Sequence, residues 1–139
     1  MKYYEVIDHT ADLCVRLQAK DLKGLFINAG RALFELKAKR LPLEGNQKKR
    51  KVTLSVKADT PEELLVAWLN ELLYLSATEK VIFTDFKIKR LDKKILSAVV
   101  WAEPEENFEL KHEIKAATYH NLCIQKKDSF WYTQIVFDV

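Results

Sequence analysis

Acidic groups at the two ends of the sequence are the side chains best suited to chemistry. Asp12 opens an alternating apolar run, and Asp138 precedes Val139 at the end of the sequence. If the two runs are neighbouring strands, both side-chain carboxylates and the terminal carboxylate of Val139 share one small volume. Anionic oxygens repel each other unless a cation joins them, and hard oxygen ligands suit Ca²⁺, Mg²⁺ or Mn²⁺. The sequence therefore predicts a divalent metal site.

The same acidic residues have a simpler interpretation as turn formers. Asp8, His9 and Asp12 lie close together in sequence, and Asp side chains often bond the backbone in turns between strands. Asp138 alone would be an ordinary charge on an edge strand. Spacing by itself leaves both interpretations open.

The densest polar run of the chain spans 112–120. His112 and His120 are too far apart for the i, i+4 zinc spacing of a helix. On a strand they would share one face, with Lys115 and Tyr119 on the other. We predict that these four residues, together with His9, form a partner-binding surface. Histidines that act singly in acid–base chemistry, or that are simply hydrogen-bonded, are the alternatives.

A basic stretch, 37–51, is the most loop-like part of the chain. It could meet RNA phosphates or an acidic protein surface, or it could be a solvated loop. It lacks the interleaved aromatic residues of a platform for single-stranded RNA. Trp68, Trp101 and Trp131 are predicted to lie in the core.

Two helices and eight strands are predicted to position these groups. Asp21 can cap a helix over 22–37, and Thr60, Pro61 and Glu63 make a capping box for a helix to about residue 77. Alternating or apolar runs predict the strands, which are 3–7, 13–19, 52–58, 81–91, 94–103, 111–120, 122–126 and 131–139. Turns are expected at 92–93 and 127–129.

The order of these elements predicts an α+β fold in one domain, 1–139. We expect a mostly antiparallel sheet with two helices packed on one face. A strand–helix–strand order occurs in 3–36 and again in 51–91, which suggests duplicated units. Cys14 and Cys123 are expected to be buried, reduced thiols.

Composition excludes several classes of protein. The 139 residues carry a net charge of only +3, which does not by itself call for nucleic acid. No apolar run reaches the roughly 18 residues of a membrane span, so a cytoplasmic protein with no membrane partner is expected. There is no Gly-rich phosphate loop, nucleophile elbow, Cys-x-x-Cys pair or nucleotide fingerprint.

Short motifs spread over the whole chain resemble the archease family. They occur in the family's order from one end to the other, and their combination is far more specific than any single piece. They are Asp8-His9-Thr10-Ala11-Asp12, Leu25-Phe26 with Ala29 and Ala32-Leu33-Phe34, Trp68-Leu69-Asn70-Glu71-Leu72-Leu73-Tyr74-Leu75, His112 with Ile114-Lys115-Ala116, Thr118-Tyr119-His120, and Asp138-Val139.

The resemblance implies a protein cofactor and not an enzyme. Archeases assist the GTP-dependent RNA ligase of tRNA splicing and RNA repair, which joins a 3′-phosphate or 2′,3′-cyclic phosphate end to a 5′-hydroxyl end. They promote guanylylation of the ligase and its multiple turnover, so tRNA or other RNA is an indirect partner. The family's metal ligands, carried over, are Asp12, Asp138 and the carboxylate of Val139, and the ion implied is Ca²⁺.

Two functions of other classes stay open. A metal-dependent phosphoesterase or nuclease would need a base beside the ion, for which His9 or His120 is available. A chaperone-like adaptor for RNA-modifying enzymes would instead rely on the 112–120 surface and the basic stretch.

Overall fold

The architecture comes from a computed structural model that describes residues 3–8, 12–42, 48–120 and 122–139. These residues form two helices, ten strands and one turn of 3₁₀ helix at 105–107. The elements are β1 (Tyr4–Asp8), β2 (Asp12–Ala19), α1 (Leu22–Lys37), β3 (Ala38–Arg40), β4 (Arg50–Lys57), α2 (Pro61–Glu79), β5 (Val81–Leu91), β6 (Ile95–Pro104), β7 (Phe108–Leu110), β8 (Ala116–Thr118), β9 (Gln125–Lys127) and β10 (Phe130–Asp138).

Both helices begin where their capping residues predict. The Asp21 side chain accepts a hydrogen bond from the Gly24 amide at 2.6 Å, and the Thr60 hydroxyl accepts one from the Glu63 amide at 3.1 Å. These bonds satisfy amides that a helix N-terminus leaves without intrahelical partners. α2 continues past the predicted end to Glu79 and stops at Lys80, which adopts a left-handed conformation with φ 54°. Within the described residues, neither helix is both long and apolar enough to cross a membrane.

The strands confirm the α+β class, although they do not form one sheet. β1, β2, β10 and β8 follow each other in a five-stranded sheet in which β9 also pairs with β10, and β4, β6 and β5 form a second sheet. β3 and β7 form a separate ribbon. All of these pairings are antiparallel. Each helix contacts both larger sheets, because its apolar side is too broad for one sheet to cover.

The two strand–helix–strand units differ in their topology. β4 and β5 return to one sheet, where they flank β6 and run parallel to each other. The strand that follows α1 instead leaves for the ribbon with β7. The order of elements therefore repeats, but the arrangement of the strands does not.

Trp68 joins the two helices at the centre of the core. Its side chain is 0% exposed, and its indole N–H donates to the Phe26 carbonyl at 2.9 Å. Trp131 packs against the same core from β10. The prediction for Trp101 is wrong. It pairs with exposed Lys51 and Asp85 on the solvent side of β6, because strand alternation sends it away from its buried neighbours.

Several local predictions also need correction. The hairpin between β5 and β6 has three connecting residues, with the Asp92 carboxylate accepting the amides of Lys94 and Ile95 at 2.9 Å each. These two bonds lower the pKa of Asp92. Both cysteines are free, as predicted, but Cys123 is exposed and Cys14 only partly buried. Cys123 lies outside β9, because only the last two residues of the expected strand at 122–126 form a strand.

Candidate carboxylate site

The register of two central strands places Asp12 directly opposite Asp138. β2 and β10 run antiparallel. Leu13 of β2 lies opposite Phe137 of β10, and the next pair along the two strands is Asp12 opposite Asp138. Leu13 and Phe137 are buried, so strand alternation turns Asp12 and Asp138 to the exposed face. The apolar alternation that builds the core therefore also pairs the two charges.

Strand β8 supplies the other border of this site. β10 lies between β2 and β8, and Asp138 is also the register partner of Ala116. One residue earlier, the amide of Lys115 donates to the carbonyl of Asp138 at 2.8 Å. The backbone of Asp138 is thus held on both sides, while its carboxylate stays exposed beside Val139.

Two carboxylates in a cross-strand pair are an unfavourable arrangement without a counter-ion. Side chains directly opposite each other have Cβ atoms about 4.5–5.5 Å apart, and like charges at that distance destabilise a sheet. Among the residues with described positions, no three His, Cys, Asp or Glu side chains gather into a metal-binding cluster. The register of β2 and β10 brings two hard carboxylates together, and such a pair fits an oxygen-seeking divalent ion whose coordination is completed by further oxygens.

The remaining residues of the predicted site lie at different places. His9 falls outside the described residues, and Asp8 ends β1 opposite Cys14. Lys115 and Tyr119 stand on either side of β8, and both are exposed. His112 and His120 are exposed as well. Lys115 precedes Ala116, the register partner of Asp138, whereas Tyr119 follows Thr118, the partner of Val136, at the other end of β8.

The expected strand over 111–120 is wrong at both ends, 111–115 and 119–120. Only Ala116–Thr118 is a strand. The amides of Lys111 and His112 instead donate to the Lys37 carbonyl, at 2.8 and 3.4 Å, and so occupy an acceptor that the end of α1 leaves open. The argument that His112 shares a strand face with His120 therefore fails.

Comparison with known proteins identifies the family. Residues 4–139 match the model of the Archease protein family (MTH1598/TM1083). The chain belongs to the archease family. Relatives described as protein archease include one from Pyrococcus furiosus, 34% identical, with 100% of both chains covered. Another, from Methanosarcina barkeri, is 32% identical over 99% of this chain and 97% of its own.

Solved archease structures share the fold. The solution structure of protein 1598 from Methanobacterium thermoautotrophicum superposes with a TM-score of 0.75, at 29% identity and with 100% of both chains covered. A crystal structure of an archease from Thermotoga maritima gives 0.69 at 21% identity, covering 97% of this chain and 96% of its own. At 21% identity, the similarity to the Thermotoga maritima structure is evidence of a shared fold only.

Asn70 supports the archease carboxylate site from the second helix. Its side-chain amide donates to the Ala117 carbonyl at 3.1 Å, and its carbonyl oxygen accepts the Ala117 amide at 2.8 Å. These two bonds fix β8 to α2 and so hold the strand that borders Asp138. The sequence offered one signal for this role, a polar amide beside Glu71 in a part of α2 whose other residues, 68, 69, 72 and 73, are apolar.

We expect Asn70→Ala to lower the free energy of unfolding by about 2 kcal/mol, because it leaves two nearly buried backbone groups of Ala117 without partners. Urea unfolding measures this loss, and hydrogen exchange at the Ala117 amide should accelerate. Thr78→Ala is the control, since the Thr78 hydroxyl donates to two carbonyls of its own helix, those of Tyr74 and Leu75. Unchanged exchange at Ala117 would show that Asn70 does not hold β8.

Proposed function

We propose that this archease activates a GTP-dependent RNA ligase of tRNA splicing or RNA repair. It acts as a protein cofactor that promotes guanylylation of the ligase and its multiple turnover. Membership of the archease family supports the proposal. The observation that carries it is the pair Asp12 and Asp138, exposed and directly opposed where β2 begins and β10 ends.

The proposed metal ligands are Asp12, Asp138 and the carboxylate of Val139. Ca²⁺ is the ion we propose, and Mg²⁺ and Mn²⁺ accept the same oxygen donors. When bound, such an ion supplies positive charge that neutralises phosphate oxygens. The protein's own contribution is to hold the two side-chain carboxylates opposite each other, which the register of β2 and β10 does without any rearrangement.

The proposed ligase-binding surface lies beside this site, around β8. Tyr119 is 50% exposed, and Lys115, whose backbone amide donates to the Asp138 carbonyl, has an exposed side chain. Exposed tyrosines often supply much of the energy of an interface, because a rigid ring buries a large area at little entropic cost. His112 and His120 extend the surface, and His9 is proposed as a further contact.

The experiment that tests this function is the rate of GMP transfer onto a GTP-dependent RNA ligase, with and without this protein. We expect a clear acceleration and multiple turnover of the ligase. The same protein incubated with RNA and Mn²⁺ alone should leave the RNA intact. Cleavage that disappears in Asp12→Ala would overturn the proposal in favour of a metal-dependent nuclease.

Replacing Tyr119 by Ala should raise the concentration of archease needed for half-maximal stimulation by roughly 10-fold, because interface tyrosines often contribute more than about 1 kcal/mol. The matched control is Tyr74→Ala. Tyr74 is 62% exposed on α2, and its backbone carbonyl accepts a hydrogen bond from the Thr78 hydroxyl. If both variants shift the titration equally, the surface around β8 is not the binding site.

A chaperone-like adaptor is the second candidate. The Thermotoga maritima archease is described as a possible chaperone. Leu110 is 52% exposed in β7, on the same stretch of chain that leads to β8, and adds apolar surface that a client protein could cover. Suppression of aggregation of an unrelated unfolded protein, without any effect on a ligase, would favour this function.

A further inference from the structure

The solvent face of the second sheet is flanked by lysines on both edges. Lys51 and Lys57 extend from β4, and Lys87 and Lys89 extend from β5, with β6 between them. All four are exposed. Adjacent strands lie about 4.8 Å apart, so the two rows face each other across roughly 10 Å, and Lys51 and Lys57 are about 20 Å apart along β4.

These lysines keep their charge available. Within the described part of the chain, no carboxylate lies within ion-pair distance of any of the four. The acidic groups near this face have other partners. Asp85 pairs with Lys49 at 2.6 Å, Asp92 pairs with Arg90 at 3.0 Å, and Glu103 is buried against Arg40. The face is therefore positively charged although the whole chain carries only +3.

Hydroxyl groups and a shallow depression lie between the lysine rows. The depression has a volume of about 510 Å³ and is bounded by Lys51 and Lys89. Thr53, Ser55 and Ser97 line it, and the last two are register partners on β4 and β6. Hydroxyl donors beside ammonium groups suit phosphate oxygens, which accept hydrogen bonds as well as charge.

An aromatic side chain stands on the same face. Trp101 is partly exposed on β6, between Lys51 on one neighbouring strand and Asp85 on the other. Two residues away, Val99 is only 3% exposed although it points away from the core, so its neighbours cover it. Long lysine side chains cover apolar surface with their methylenes while their charges stay in water. A base can stack on the exposed part of the Trp101 ring, as in platforms that bind single strands.

We propose that this face binds single-stranded RNA directly, with the lysines and hydroxyls contacting phosphates and Trp101 stacking on a base. The proposed function requires RNA only as a substrate of the ligase, so direct binding is an additional property. An acidic protein would satisfy the lysines equally well. It would make no use of an aromatic ring set between them, and this favours RNA.

The test uses this protein alone, with a fluorescein-labelled 12-nucleotide oligouridine in EDTA, followed by fluorescence anisotropy over a range of salt concentrations. We expect binding with a slope of log K against log salt near −3, about −0.7 for each of four phosphate contacts. The double variant Lys87→Gln/Lys89→Gln should flatten the slope by about 1.4 and weaken binding about 10-fold at low salt.

The matched control is Lys126→Gln/Lys127→Gln, which removes the same charge from β9 of the other sheet. It should leave both slope and affinity unchanged. Trp101→Leu should weaken binding about 10-fold and remove the quenching of tryptophan fluorescence by RNA. Its melting temperature verifies that it folds.

Three results would overturn the proposal. They are no binding at low salt, equal losses in the β5 and β9 variants, and equal competition by polyglutamate, which would assign the face to an acidic protein. The binding assay contains no ligase, so a failure to bind RNA would not contradict the proposed activation of the ligase. Likewise, failure of activation would not remove a measured affinity for RNA.

Discussion

Asp138→Asn should abolish the stimulation of ligase guanylylation while the protein remains folded. The substitution keeps the size and the exposed position of the side chain but removes one of the two charges that face each other across β2 and β10. A divalent ion held by hard anionic oxygens loses most of its affinity when one of them becomes a neutral amide. The rate of GMP transfer onto the ligase is the measurement.

Stability in the presence and absence of metal gives an independent readout of the same site. Wild-type protein should melt at a higher temperature in Ca²⁺ than in EDTA, because an ion that binds only the folded state adds about 2.7 kcal/mol at 100 times its Kd. Asp138→Asn should lose this difference. In EDTA it should melt at or slightly above the wild-type temperature, since the repulsion between Asp12 and Asp138 is gone.

The control for this site is Asp128→Asn. Asp128 lies in the turn between β9 and β10 with φ 59°, a conformation that Asn tolerates well, and its replacement changes the net charge by the same amount. It should stimulate the ligase normally and respond to Ca²⁺ as wild type does. Normal stimulation by Asp138→Asn would show that the carboxylate pair has no part in activation. If Asp138→Asn loses stimulation but still responds to Ca²⁺ as wild type does, the Asp138 carboxylate is needed for activation without being a ligand of the ion.

Arg40→Ala should lower the free energy of unfolding by about 3 kcal/mol, the lower end of the range for removing one partner of a buried ion pair. Glu103 is 0% exposed, and both of its carboxylate oxygens accept hydrogen bonds from the Arg40 guanidinium at 2.5 Å. Arg40 is itself partly exposed and lies over the Phe108 ring, 5.0 Å from its centroid. The variant leaves a buried carboxylate without its partner, which urea unfolding at pH 7 detects.

The difference in stability between wild-type protein and Arg40→Ala should depend on pH. Hydrogen bonding by Arg40 lowers the pKa of Glu103 below its ordinary value, so the pair stabilises wild-type protein above about pH 4.3, and this contribution is lost as pH falls through the folded-state pKa. In Arg40→Ala, burial raises the pKa of Glu103, and protonation relieves the cost. The difference between the two proteins should therefore shrink from pH 7 to pH 4.

Arg50→Ala is the matched control for the ion pair. Arg50 also bonds a glutamate, Glu79, at 2.7 Å, but both side chains are substantially exposed. Exposed pairs contribute between zero and about 1 kcal/mol, so this variant should unfold close to wild type at both pH values. Equal losses in Arg40→Ala and Arg50→Ala would show that burial of Glu103 does not set the strength of its pair.

Local sequence determined where the helices begin and on which face of its strand each carboxylate of the site lies. Asp21 and Thr60 each bond an amide only three residues away, so the helix starts need no tertiary information. Alternation of apolar residues in β2 and β10 assigned Asp12 and Asp138 to the exposed face. The family motifs gave the identity, because their order along the chain is itself a property of the sequence.

Tertiary structure alone decided how distant segments meet. The division of the strands among three sheets, the place of Trp101 outside the core and the irregular path of 111–115 depend on which partner each backbone group finds. Arg40 and Glu103 are 63 residues apart, and Asn70 and Ala117 are 47 apart. Periodicity gives the face on which a side chain lies, but not which segment covers that face. Many strand pairings bury similar apolar areas, and only the complete tertiary packing favours one of them.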